Sequence, residues 1–279
     1  MTAFDPVGMM DSGIGGLPYL ESARLLLPDQ SFVYLADREG FPYGTKSRVE
    51  VESIVLDRVR RLVAHWHPRA LVIACNTASQ AALAAVRADN PGIPVIGTVP
   101  AIKPAAERSK TRIVGILATA GAIGDPYLDE LVANFARGSR VARRAAQDLV
   151  DFVERRFLRS TAAERREAVL PHVRYLVDEG VDEIVLACTH FLHVAADIAA
   201  VAAELCMERG RGPVEVIDSR EGVARRLRQV LETEGGLGDG TGPGGGIFLV
   251  TGEEPIDSCY ADFAGRYGLE GPLRLDPAP

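Results

Sequence analysis

Two stretches of the sequence close in the same way: LVIACNT at 71–77 and IVLACTH at 184–190. Each is an apolar run that ends on Ala-Cys and continues with small polar or imidazole side chains. A thiol can serve as acid, base or nucleophile, but its free pKa of about 8.5 leaves it mostly protonated near neutrality. A helix N-terminus or a nearby cation lowers that value. Cys75 and Cys188 both stand just before an expected helix start, where backbone N–H groups and the helix dipole favour an anion. If the segments that carry them face each other across a cleft, one thiol reaches a ligand from each side. Stereoinversion at carbon needs that arrangement: one group removes a proton from one face, and the other returns a proton to the opposite face. One sulfur then starts each turnover as thiolate and the other as thiol, and the pair titrates as a coupled unit.

The α-hydrogen of an amino acid is a very weak acid, and pyridoxal phosphate is the usual electron sink for removing it. That cofactor needs a Schiff-base lysine. The chain has only Lys46, Lys103 and Lys110, none in a supporting motif, so direct deprotonation without a cofactor is expected. Donors would then stabilise the charge that develops on the substrate carboxylate. Candidates are the glycine-rich turn Asp11-Ser12-Gly13-Ile14-Gly15-Gly16, Asn76 and Thr77 after the first cysteine, and Thr189 and His190 after the second. The turn serves equally well as a plain tight connection, and it lacks the dinucleotide pattern G-x-G-x-x-G. His190 reads either as a proton-transfer partner or as a structural hydrogen-bonder.

The elements that must hold these residues alternate. Apolar runs at 6–10, 31–36, 70–75, 94–97, 112–117, 183–188 and 214–217 read as strands, several apolar throughout, as in sheets covered on both faces. Amphipathic stretches at 46–65, 78–88, 127–135, 161–179 and 194–208 read as helices. The fold class is therefore α/β with mostly parallel sheets. VGMMDSGIGG at 7–16 has an echo in VGILATAGAIG at 114–124, in the same order as the cysteine motifs, which suggests two similar halves. Residues 235–246 read as a connector before a last strand at 247–250 and a helix near Ile256. The basic stretch 137–166, interleaved with acids, reads mostly as solvated helix surface.

The chain has 279 residues, 47% of them hydrophobic and 25% charged, enough for a substantial core. A net charge of −7 disfavours nucleic-acid and anionic-membrane partners. Apolar runs such as 70–75 are too short to span a bilayer, and residues 1–10 lack a secretion signal, so a cytoplasmic protein is expected. No C-x-x-C pair or metal-ligand spacing occurs. Cys206 and Cys259 read as buried small hydrophobes.

The chain resembles the glutamate racemases of the aspartate/glutamate racemase superfamily. The matching motifs run in family order over nearly the whole length: MDSGIGGLPYL (10–20), FPYGTKS (41–47), VIACNTAS (72–79), PVIGTVPAIKPAA (94–106), IVGILATAGAI (113–123), EIVLACTHF (183–191) and VIDSREGVARR (216–226). The resemblance implies two α/β lobes, 1–98 plus 210–279 and 99–209, with the active site in the cleft between them. It implies cofactor-independent, two-base interconversion of L- and D-glutamate for peptidoglycan synthesis, and it allows a homodimer. Cys75 and Cys188 become the catalytic acid/base pair, assisted by Asp11, His190 and Glu154. Ser12, Pro42, Tyr43, Gly44, Asn76, Thr77 and Thr189 become substrate contacts alongside Asp11, His190 and the two thiols. The chain departs from the family pattern at Leu192-His193, where Pro is common, at Arg220, where Gly is usual, and within ADREGFPYG (36–44). Two other readings use the same residues: a decarboxylase or isomerase of a small dicarboxylate with one essential cysteine, and a non-catalytic amino-acid-binding protein.

Overall fold

The computed structural model describes residues 5–234 and 245–275; the greater part of the glycine-rich connector lies outside them. The chain divides into two compact units, 1–98 with 220–279, and 99–219.

Among the described residues the first unit holds six parallel strands: β1 (Val7–Asp11), β2 (Phe32–Ala36), β3 (Ala70–Ile73), β4 (Val95–Gly97), β9 (Gly246–Val250) and β10 (Glu270–Arg274), in the order β10-β9-β2-β1-β3-β4. The second holds four: β5 (Ile113–Ala118), β6 (Arg140–Ala145), β7 (Glu183–Leu186) and β8 (Glu215–Ile217), in the order β6-β5-β7-β8. Residues of β1, β2 and β3 are buried throughout, which is why these strands read as continuous apolar runs.

The suspected internal repeat is present strand by strand. β2, β1, β3 and β4 occupy the same order as β6, β5, β7 and β8. The registers coincide as well: Met10 pairs with Ile73 where Leu117 pairs with Leu186, and Asp11 with Ala36 where Ala118 pairs with Ala145. Leu71 pairs with Val95 where Ile184 pairs with Val216. The helix before each cysteine-bearing strand opens with a capping box, Ser47 with Glu50 and Thr161 with Glu164. Val51, Val55, Val59 and Leu62 of helix Arg48–Trp66 then form one buried stripe against the first sheet, in a cluster that includes Tyr43 and Cys75. In the second unit, Ile102 and Ala105 pack with Leu128 and Leu131 around Ile116 and Val185.

Several sequence expectations need correction. The chain leaves the second unit after Ser219, not after residue 209, because β8 pairs with β7 and belongs to the four-stranded sheet. In register terms Ser219 matches Thr98, the last residue before the first crossing. Within the basic stretch, Arg140–Ala145 is a strand and not helix surface; it sits at the edge of its sheet, where arginines reach solvent. β10 was not foreseen, and Cys259 is half-buried, whereas Cys206 is buried. Among the described residues, one continuous helical stretch, Thr189–Glu208, is long and apolar enough to cross a membrane by length and composition. Half of it is buried within the protein, including Phe191, Ile198, Val201 and Leu205, as expected of a core helix.

Candidate active site

Parallel sheets bind ligands at the carboxyl ends of strands, where the strand order reverses about the first strand. In both units the cysteine lies there. Cys75 follows β3 and caps helix Asn76–Asp89; Cys188 follows β7 and caps a 3-10 turn, Thr189–Val194, that leads into helix Ala195–Glu208. Their backbones are nearly superposable, with φ/ψ of −142°/123° and −142°/134°. Their exposures are 5% and 6%, so each sulfur is almost enclosed.

In the first unit, Asp11 ends β1 beside the end of β3 and is wholly buried. Its Oδ1 accepts the Ser12 backbone N–H at 2.7 Å. The glycine turn is fastened by Tyr34, whose hydroxyl accepts from the Gly16 N–H at 3.1 Å and donates to the Gly13 carbonyl at 2.8 Å. The Ser12 and Gly16 amides, expected as carboxylate donors, are thus engaged within the turn. A Cβ on Gly16 would stand 2.8 Å from the Ala74 carbonyl oxygen, so only glycine lets the turn lie against the residue before Cys75. Pro42, after a cis bond to Phe41, precedes the 3-10 turn Tyr43–Thr45. The Tyr43 hydroxyl donates to Asp37 Oδ2 at 2.6 Å, and Asp37 Oδ1 accepts from Arg58 at 3.0 Å and Thr251 at 2.6 Å. Burial raises the Tyr43 pKa well above the phenol range, and the charge and hydrogen bond of Asp37 and the nearby Cys75 and Asp11 add to it. Tyr43 is therefore a neutral phenol that holds its loop in place. Asn76 is 2% exposed, and its Oδ1 has no hydrogen-bond partner among the described residues. Such an orphaned acceptor next to Cys75 is suited to a ligand N–H. Thr77 is half-buried on the same turn.

In the second unit, His190 and Glu154 are buried together, His190 Nε2 to Glu154 Oε2 at 2.9 Å. His190 Nδ1 faces Cys188 Sγ at 4.0 Å. Burial works against a charged imidazole, but hydrogen bonds to Cys188 and Glu154, together with their charges, outweigh it and hold the His190 pKa well above its ordinary value. The carboxylate–imidazole–sulfur chain matches the orienter, base and thiol logic of activated nucleophiles. Thr189 is buried beside it. Among the described residues no group of three or more His, Cys, Asp or Glu side chains could hold a metal ion.

The description Asp/Glu/Hydantoin racemase matches residues 20–227, a span that contains both cysteines. The chain belongs to that racemase family. Relatives agree over nearly the whole length. A glutamate racemase of Sphingopyxis alaskensis is 41% identical over 254 residues, 90% of each chain. One of Roseiflexus is 36% identical over 252 residues, 90% of this chain and 88% of its own. The fold matches the Escherichia coli glutamate racemase, crystallised with L-glutamate and the activator UDP-MurNAc-ala, with a TM-score of 0.83 and 31% identity over 97% of this chain and 98% of that one. A Bacillus anthracis glutamate racemase gives 0.75 and 29% over 97% and 96%. Membership in this family, with glutamate racemases as relatives, makes the chain an amino-acid racemase and so an isomerase.

The structure gathers Asp11, Ser12, Tyr43, Gly44, Cys75 and Asn76 in one unit and Glu154, Cys188, Thr189 and His190 in the other, all of them buried. Glu154, within the stretch read mostly as solvated helix surface, lies on the buried stripe of Leu149, Val150 and Val153. Asp37 was missed. Its signal was its place, directly after the apolar run FVYLA, as Asp11 follows VGMM.

Proposed function

We propose that this protein interconverts L- and D-glutamate without a cofactor, and that Cys75 and Cys188 carry the two proton transfers. The observation that supports this most directly is the matched pair of thiols, placed at the same register position of two copies of one four-strand motif. A thiolate at one cysteine takes the α-hydrogen, forming S–H while the C–H electron pair moves toward the substrate carboxylate. The other cysteine's S–H then delivers hydrogen to the opposite face, which leaves that sulfur as thiolate. Nothing is oxidised or reduced, and the two sulfurs end with their protonation states exchanged.

Asp11 assists Cys75. His190, held by Glu154, assists Cys188 as the base or acid through which its proton is exchanged. The unpartnered Asn76 oxygen is suited to the substrate ammonium, and Ser12, Pro42, Tyr43, Gly44, Thr77 and Thr189 complete the contacts. The cellular role that follows is supply of D-glutamate for peptidoglycan in the cytoplasm. Light scattering tests the homodimer that the resemblance allows.

Incubation of pure protein with L-glutamate in heavy water tests the proposal. Optical rotation should decay to zero without added cofactor, and the D-glutamate formed should carry deuterium at the α-carbon. Unchanged rotation, or inversion with the original α-hydrogen retained in D-glutamate at every stage, would overturn it.

A further inference from the structure

His193 stands two residues beyond Cys-Thr-His-Phe. The structure gives it a partner. Its ring lies 5.4 Å from that of Phe157, tilted by 55°, within the range of favourable edge-on aromatic pairs.

The spacing of these two residues is informative. His190 and His193 are three apart in the 3-10 turn Thr189–Val194, where residues i and i+3 eclipse one another. Glu154 and Phe157 are likewise three apart, at the end of helix Gln147–Arg156, where such residues share a face. The two segments therefore meet through two adjacent rungs, His190 with Glu154 and His193 with Phe157. The first is polar and wholly buried; the second is aromatic and half-buried. Phe157 is braced in turn. The Arg165 guanidinium lies 6.0 Å from its ring centroid, and Arg165 is itself fixed by Asp197 at 3.2 Å and the Ser160 carbonyl at 2.9 Å.

We infer that His193 and Phe157 are positioning residues, which fix the turn bearing His190 against the helix end bearing Glu154 and so set the contact that serves Cys188. The inference rests on the racemase reading above. An aromatic rung suits the purpose because ring contact restrains separation and rotation of the segments.

Double substitution separates this from a merely structural role. F157A and H193A should each lower kcat by roughly 10-fold while leaving KM within about twofold, as expected when a group near the chemistry is misplaced. In an E154Q background the same substitutions should have almost no further effect, because the contact they maintain is already lost. Phe157→Tyr and His193→Phe, which keep the aromatic rung, should restore most of the rate. If F157A fails to fold, Phe157→Leu serves in its place. Full additivity with E154Q, or unchanged turnover in both single variants, would overturn the inference. An NMR titration of the His190 ring nitrogens needs no substrate. It should show the imidazole losing its proton at lower pH in F157A than in the parent protein, and an unmoved titration would also overturn the inference. Failure of the racemase reading would appear separately, as a parent protein that does not invert glutamate.

Discussion

The two halves of the molecule solve one problem with different parts. Around Cys75, acids stand on the strand ends themselves: Asp11 closes β1 and Asp37 follows β2, each wholly buried. At the matching register positions of the second unit stand Ala118 and Ala146. There the carboxylate comes from a helix, as Glu154, and reaches the thiol through His190. Shared topology fixes where a sulfur can stand, since that depends on strand order and register. The charge around the sulfur depends on side chains at loop and helix positions, which vary without disturbing the sheet.

Removing the shared element should have the largest effect. Cys75→Ala and Cys188→Ala should each abolish inversion, by on the order of 10³-fold or more, in both directions. Because enantiomers are equal in free energy, kcat/KM must fall equally for L- and D-glutamate. Near-normal turnover by either variant, followed polarimetrically, would end the paired-thiol scheme.

Next in size is Glu154→Gln, expected to lower kcat by about 10²-fold. The difference between the halves should appear as an asymmetry of isotope effects. With α-deuterated substrates, the effect should grow for the enantiomer deprotonated at Cys188 and shrink for the other. The alkaline limb of the pH–rate profile should move to lower pH, since the carboxylate helps keep the His190 pKa raised. A base with a raised folded pKa contributes its full stabilisation below the unfolded value of ~6.5 and loses it as pH rises through the folded value. The stability lost on Glu154→Gln, measured by urea denaturation, should therefore be greatest below about pH 6.5 and shrink as pH rises through the raised His190 value.

Matched substitutions in the shared scaffold are a milder test. A methyl on Gly8 would stand 2.9 Å from Leu71 Cδ2 and 3.1 Å from Leu62 Cδ2. On Gly115, its register counterpart, the nearest atoms are at 3.2 and 3.3 Å. Overpacking costs about 1–3 kcal/mol, against a gain of roughly 0.4–1 kcal/mol from a less flexible unfolded chain. Gly8→Ala should destabilise modestly and Gly115→Ala should be nearly neutral, by urea midpoint. Most alike should be Ser47→Ala and Thr161→Ala, each costing about 1 kcal/mol as the loss of an N-cap. A large disparity between these two would mean that the halves are less alike than their registers indicate.

Much of this was legible in the sequence. Eight of the ten strands among the described residues announced themselves, because strands covered on both faces leave uninterrupted apolar runs such as FVYLA and IVGILA. The other two, RVARRA and EGPLR, lie at sheet edges, where one side faces solvent and arginine or proline is tolerated. The two thiols were legible because each ends such a run. Glu154 could be assigned only by resemblance, since a carboxylate on a helix is usually solvated; its place in line with Val150, one turn earlier, was the available sign. The Asp37 network was not legible: Arg58 and Thr251 come from segments far apart in the chain and meet only through folding.

The order in which the chain visits its sheets has a consequence during synthesis. A nascent polypeptide released as far as Ser219 already contains every strand of the four-stranded sheet. At that stage β2 still lacks β9, its neighbour on one side, and Asp37 still lacks the Thr251 hydroxyl. The interior segment can thus mature on the ribosome while the opening segment waits for the carboxyl terminus to emerge. Pulse proteolysis of stalled chains should find 99–219 resistant well before 1–98.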